Sequence, residues 1–159
     1  MDFAPLWDVG RMAGAGLIAG LFAAFMGSRD HRYKKWWELR VAAYQLAIDA
    51  LSDMAYAYEV RYQAAIEGRE LAEARNTELG TLTVQAFTRV RKAADTGAFL
   101  FSSEANAALD LIRQEWETDH PTWQEHLDAM QFTSRLCLTR IVALSKRDLK
   151  LQRHLFIWN

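Results

Sequence analysis

An all-α protein is predicted, built from an N-terminal membrane helix and an up-down-up-down four-helix bundle with long first and last helices. Three observations carry that reading. Proline is scarce, 2 of 159 residues, among plentiful Ala, Leu, Glu and Arg, a composition that favours helices. Two long stretches place apolar residues at alternating spacings of four and three, which marks a helix with one buried seam. Finally, Met12–Gly27, MAGAGLIAGLFAAFMG, carries no charge at all.

That uncharged run is the proposed anchor. Sixteen helical residues rise about 24 Å against a hydrocarbon core of roughly 30 Å, so the run is short by itself. It can be lengthened upstream through Leu6, Trp7 and Val9, with Asp8 and Arg11 three apart and able to pair on a helix. Trp7 on one side and Trp36 and Trp37 on the other suit the two interfaces, where indole rings concentrate. Arg29, Arg32, Lys34, Lys35 and Arg40 follow the run, whereas Asp2, Asp8 and a single Arg11 precede it. The positive-inside rule therefore places the C-terminal side in the cytoplasm. Residues 1–28 are expected to be a single-pass anchor, N-out and C-in, and residues 29–159 a cytoplasmic helical bundle.

Three other readings compete. A cleaved signal peptide would want a basic start and an A-x-A-like site, but the chain opens with Asp2 and Asp8. A surface-lying helix would want a polar face, and none exists between Met12 and Gly27. A helix buried in a partner protein remains open. Gly16 and Gly20, extended by Ala13 and Ala24, form a small-residue face that lets helix backbones approach closely. These four residues are the candidate packing surface for a homo-oligomer.

Beyond the collar, Trp37, Val41, Tyr44, Ile48, Leu51, Ala55, Tyr58 and Tyr62 make an unbroken seam. Trp36, Ala43, Ala47, Ala50, Met54 and Ala57 widen it, leaving a narrow polar strip. A helix this apolar needs cover from several neighbours, so the helix over about 30–75 is the core element. Gly27 and Ser28 are a possible bend. Asn76, Thr77 and Gly80 suggest a loop within 75–80, and a second helix is expected over 81–98. Ser102 or Ser103 is a fitting N-cap for a third helix over 103–117, with Glu104 in its first turn. Pro121 suits the first position of a last helix running to about residue 156, capped by Asp119 or His120. The seam of that helix is Trp123, Leu127, Met130, Ser134, Cys137, Ile141 and Leu144. Trp116 and Trp123, on either side of the break, are expected to pack on each other.

Charge patterning adds a direction. In an up-down-up-down path the basic residues of the first helix, the Arg89–Lys92 group and the last helix from Arg135 onward fall toward one end. Glu67, Glu70, Glu73, Glu78, Glu115, Glu117 and Asp119 fall at the other. Arg29, Arg32, Lys34, Lys35, Trp36, Trp37, Lys146, Arg147, Lys150 and Arg153 are therefore the expected contacts with an anionic inner leaflet. Each cation near such a surface is worth about 1 kcal/mol. The Phe99-Leu100-Phe101 tip and the tail Leu155–Trp158 would lie at the same end.

Chemistry is harder to find. There is no phosphate loop, dinucleotide fingerprint or zinc spacing. The richest group is Glu117, Asp119, His120, Glu125 and His126, but Glu125 and His126 are adjacent and so splayed on a helix. Capping and solvation is the favoured reading there. Cys137, the single cysteine, excludes an internal disulfide, fits a reducing compartment and lies in an apolar seam. The net charge of −1 gives no argument for nucleic acid. No catalytic residue, cofactor or metal is expected.

The segments KKWWELRVAAYQLAIDALSDM, 34–54, and KAADTGAFLFSSEANAAL, 92–109, resemble those of small uncharacterised bacterial membrane proteins with one N-terminal transmembrane helix and a cytoplasmic helical domain. The resemblance implies a bacterial inner-membrane protein, and brings no catalytic residues with it. Anchor and bundle together point to a non-enzymatic interaction or scaffold module that binds a partner protein or self-associates. The alternatives are a membrane effector that permeabilises the bilayer, for example in phage defence, and an accessory subunit of a larger membrane complex.

Overall fold

The computed structural model describes residues 4–97 and 99–150, with side chains for residues 32–95, 97 and 99–149. Among the described residues the protein is all-helical: α1 (Ala4–Ile66), α2 (Glu73–Gly97), α3 (Ser103–Trp116) and α4 (Trp123–Lys150). It divides into two compact units, Met1–Leu39 and Arg40–Asn159. The helical assignment of α1 runs through Gly27 and Ser28.

The second unit is compatible with a helical bundle. Its core joins Tyr44, Ala47, Leu51, Met54 and Tyr58 of α1 to Ala86 and Val90 of α2, Leu109 and Ile112 of α3, and Leu127, Met130, Cys137 and Ile141 of α4. The seams read from spacing are therefore largely buried or half-buried, but Trp36 and Trp123 are exposed. Trp123, the first residue of the α4 seam, is 62% exposed and stands in the opening turn of its helix.

Contacts between neighbouring helices run antiparallel. Along α1 and α4, Arg40 pairs with Asp148 and Glu59 with Arg135. Along α1 and α2, Asp53 pairs with Arg89, and Arg61 donates to the Asn76 carbonyl. Along α3 and α4, Glu104 pairs with Arg147, and the Cys137 thiol donates to the Ala108 carbonyl. Arg40, Phe101, Glu104 and Asp148 thus share one end, and Arg61, Asn76, Trp116 and His126 the other.

Two helix boundaries differ from expectation. α1 stops at Ile66, not near residue 75, because Gly68 adopts φ +62, a left-handed conformation that glycine alone takes without penalty. Gly68 N–H then donates to Ala65 and Arg69 N–H to Ala64, closing the helix by the paired bonds of a Schellman cap. The loop is therefore 67–72, and Asn76, Thr77 and Gly80 lie inside α2. Gly80 there has a packing reason: a Cβ would stand 3.1 Å from the Arg61 guanidinium. At the second break, Thr122 caps α4, its hydroxyl accepting from Glu125 N–H, so Pro121 precedes the helix and neither Asp119 nor His120 is the cap. The expected end near residue 156 lies outside the described residues. The α3 cap is Ser102, which accepts from Ala105 N–H.

The turn from α2 to α3 folds inward. Leu100 and Phe101 are buried and Phe99 alone is 70% exposed, so the expected apolar tip reduces to one residue. The Phe101 ring meets Tyr44 edge-on at 4.8 Å and passes so close to Gly97 that a Cβ would sit 2.4 Å from it. Pinned by Tyr44, the ring has nowhere to retreat. Gly97→Ala is expected to destabilise the unit by about 1–3 kcal/mol, the usual cost of overpacking, as a lowered denaturation midpoint. Gly80→Ala, which meets a flexible guanidinium, should cost less.

Candidate functional site

Met12–Gly27, with Ala13, Gly16, Gly20 and Ala24, falls within the helical backbone of α1, and its side chains lie outside the described residues. Among the described residues, no helix is long and apolar enough to cross a membrane. Of the expected surface contacts, Arg32, Lys34, Lys35, Trp36, Lys146 and Arg147 are exposed, and Trp37 is half-buried. Tyr33 and Trp36 lie with ring centroids 6.4 Å apart. The side chains of Arg29 and Lys150, and the whole of Arg153 with the tail Leu155–Trp158, lie outside the described residues.

The charge polarity expected along the bundle is diluted by pairing. Arg89 and Arg135 are matched by Asp53 and Glu59 of α1, part-way along the helices. The end expected to be acidic also holds Arg61, Arg69 and Arg75, the last two bridged to Glu67 and Glu78. Lys146 and Arg147 keep their place at the Arg40 end.

That end contains a buried carboxylate. Asp148 is 5% exposed. Its Oδ2 accepts from the Tyr44 hydroxyl and lies 3.4 Å from Arg40, while Oδ1 accepts from Arg147 Nε at 3.0 Å. Burial works to raise the carboxyl pKa, but hydrogen bonds from Tyr44, Ser102 and Arg147 outweigh it and hold Asp148 below the usual range. The Tyr44 hydroxyl is pushed up, by burial first and by its bond to Asp148 second. The carboxylate is engaged by groups from α1, α4 and the α3 cap. The arrangement fastens three helices together. In the sequence Asp148 is the lone acid among Arg135, Arg140, Lys146, Arg147, Lys150 and Arg153. That isolation was the available signal, since one carboxylate among six cations draws partners.

The opposite end gathers aromatic and imidazole rings. Glu115 of α3 and His120 of the α3–α4 connection lie 2.9 Å apart, both partly buried. His120 meets His126 edge-on at 5.5 Å. His126 stacks on Trp123 at 5.1 Å and meets Tyr58 of α1 edge-on at 5.9 Å. Trp123 therefore pairs with His126, and Trp116 stacks on Phe87 of α2 at 4.1 Å; the two indoles do not pack on each other, because α3 turns Trp116 inward toward α2. Glu115, absent from the group read in the sequence, replaces Glu117, Asp119 and Glu125, all of which are exposed. Among the described residues, no three His, Cys, Asp or Glu side chains are placed to hold a metal ion. Beside the rings opens a groove of about 570 Å³, lined by Arg61, Ala64, Leu71, Trp123 and Leu127 among others.

Cys137 is fully buried. Burial pushes its thiol up to about 11, slightly opposed by the charge of Arg140, so it stays protonated and behaves as a small core residue. No family model, curated protein or solved structure matches the chain.

Proposed function

We propose that the chain is a non-enzymatic, membrane-anchored interaction module of a bacterial inner membrane, single-pass, N-out and C-in, with its helical bundle in the cytoplasm. The observation that carries this reading is the uncharged Met12–Gly27 run followed at once by a cationic, aromatic collar. Exposed Arg32, Lys34 and Lys35 suit an anionic leaflet. Support for a binding role over a catalytic one comes from the two buried reactive groups. Asp148 is bound by Tyr44, Arg40 and Arg147, and Cys137 is held as a thiol.

Self-association runs through the Ala13, Gly16, Gly20 and Ala24 face, where small side chains allow close helix approach. Light scattering of the full chain in mild detergent tests this. An oligomer is expected, and Gly16→Leu is expected to dissociate it; a strict monomer, indifferent to Gly16→Leu, removes the self-association and leaves a partner protein as the ligand. The same small-residue face favours a second reading, a bilayer-permeabilising effector. Its signature is growth arrest on overexpression that Gly16→Leu relieves.

A further inference from the structure

We propose that Glu115, His120 and His126 form a proton-operated latch, which holds the α3–α4 connection and Trp123 closed at neutral pH and releases them when His126 takes a proton. This goes beyond the anchoring role and does not depend on it.

The geometry brings four elements to one imidazole. Tyr58 faces His126 from α1, with Arg61 one turn further along the same helix. Glu115 comes from α3, His120 from the connection, and Trp123 from the first turn of α4 itself. Glu117, Asp119, Glu125 and Asp128, the remaining charged groups nearby in sequence, are exposed, and Asp128 is engaged with Tyr62 of α1. The two histidines are not equivalent. A proton on His120 meets the Glu115 carboxylate at 2.9 Å. Among the described residues no carboxylate forms an ion pair with His126, and a proton on it faces the His120 ring at 5.5 Å. It also lies at the end of the first turn of α4, where the helix macrodipole is positive and disfavours a cation. Burial foremost, then His120, lowers the His126 pKa, with Glu115 opposing.

The sign follows. A histidine held below its ordinary value near 6.5 contributes stability that is present above that pH and lost as pH falls through it. The proton on His126 then stands against the His120 ring and the positive end of α4, the Trp123 stack opens, and the groove beside Arg61, Leu71 and Leu127 loses the indole on its rim. The latch thus ties access to that groove to proton concentration in the range where histidine titrates.

Hydrogen exchange on the full chain in detergent, at pH 7.5 and 5.5 and corrected for intrinsic rates, tests this. Amides of residues 117–126 are expected to lose about tenfold in protection at the lower pH, while those of residues 47–58 hold theirs. His126→Phe keeps a ring in the stack and cannot take a proton, so its 117–126 protection should not change with pH. Unchanged protection in the wild type, or an equal loss in His126→Phe, overturns the proposal. Should His126→Phe not fold, the NMR titration of His126 in the wild type decides. A midpoint below 6.5 supports the latch, and one at or above 6.5 overturns it.

Discussion

Asp148→Ala is expected to destabilise the Arg40–Asn159 unit by about 3–5 kcal/mol, the cost of breaking a buried ion pair by removing one partner. The loss is not only that of contacts. Tyr44, 1% exposed, is left with a buried hydroxyl, and Arg40, 17% exposed, with a guanidinium that has lost its buried carboxylate. In the Arg40–Asn159 unit, whose size lies between the roughly 60–100- and 150–250-residue classes, 1 kcal/mol moves the melting temperature by about 4 °C, so a fall of more than about 10 °C is expected. Asp148→Asn keeps the shape and an acceptor for Tyr44 but removes the charge, and should fall between. The pH dependence has a defined sign. The Asp148 carboxyl is held below its ordinary value, so its contribution is complete above pH ~4 and disappears as pH falls through the folded-state value. Acid unfolding followed by circular dichroism should therefore be less steep below pH 4 in Asp148→Asn than in the wild type.

Leu51→Ala and Leu46→Ala make the second large contrast. The two leucines are five residues apart on α1, so they point in widely different directions on the helix. Leu51 is fully buried among the core residues, whereas Leu46 is 59% exposed. Removing the Leu51 side chain deletes buried methyl groups and leaves a cavity that the surrounding helices cannot fill, at about 3–5 kcal/mol. Leu46→Ala trims a side chain already in water and improves helix propensity slightly, so it should stay within about 0.5 kcal/mol. Urea unfolding of the two variants measures the difference. Equal effects would mean that the seam does not face the core.

That contrast also explains what was legible beforehand. The line Tyr44, Ile48, Leu51, Ala55, Tyr58 could be read from spacing alone, because a helix buries one stripe and its period is constant. The boundaries depended on single residues acting through geometry. The left-handed conformation of Gly68, not the Asn76–Gly80 composition, sets the end of α1. Gly80 looked like a loop residue because the Arg61 side chain that passes over it lies 19 positions earlier in the chain. Thr122 prevailed over Asp119 and His120 as the α4 cap by position, since its hydroxyl alone reaches Glu125 N–H.

The sites were less legible, for a related reason. Both depend on contacts between residues distant in sequence. Asp148 meets Tyr44 across 104 positions, and His126 meets Tyr58 across two helices. Near the turn, local grouping favoured Glu125 next to His126, but neighbours on a helix diverge. Glu115, five residues before His120 and across the bend, is the carboxylate that arrives.

The account depends most on Met12–Gly27 lying in lipid. Alkaline carbonate washing of membranes from cells making the full chain tests this directly. The protein is expected to stay with the membrane pellet, as an integral helix does. Its release into the soluble fraction would contradict the anchor and the membrane-attached role built on it.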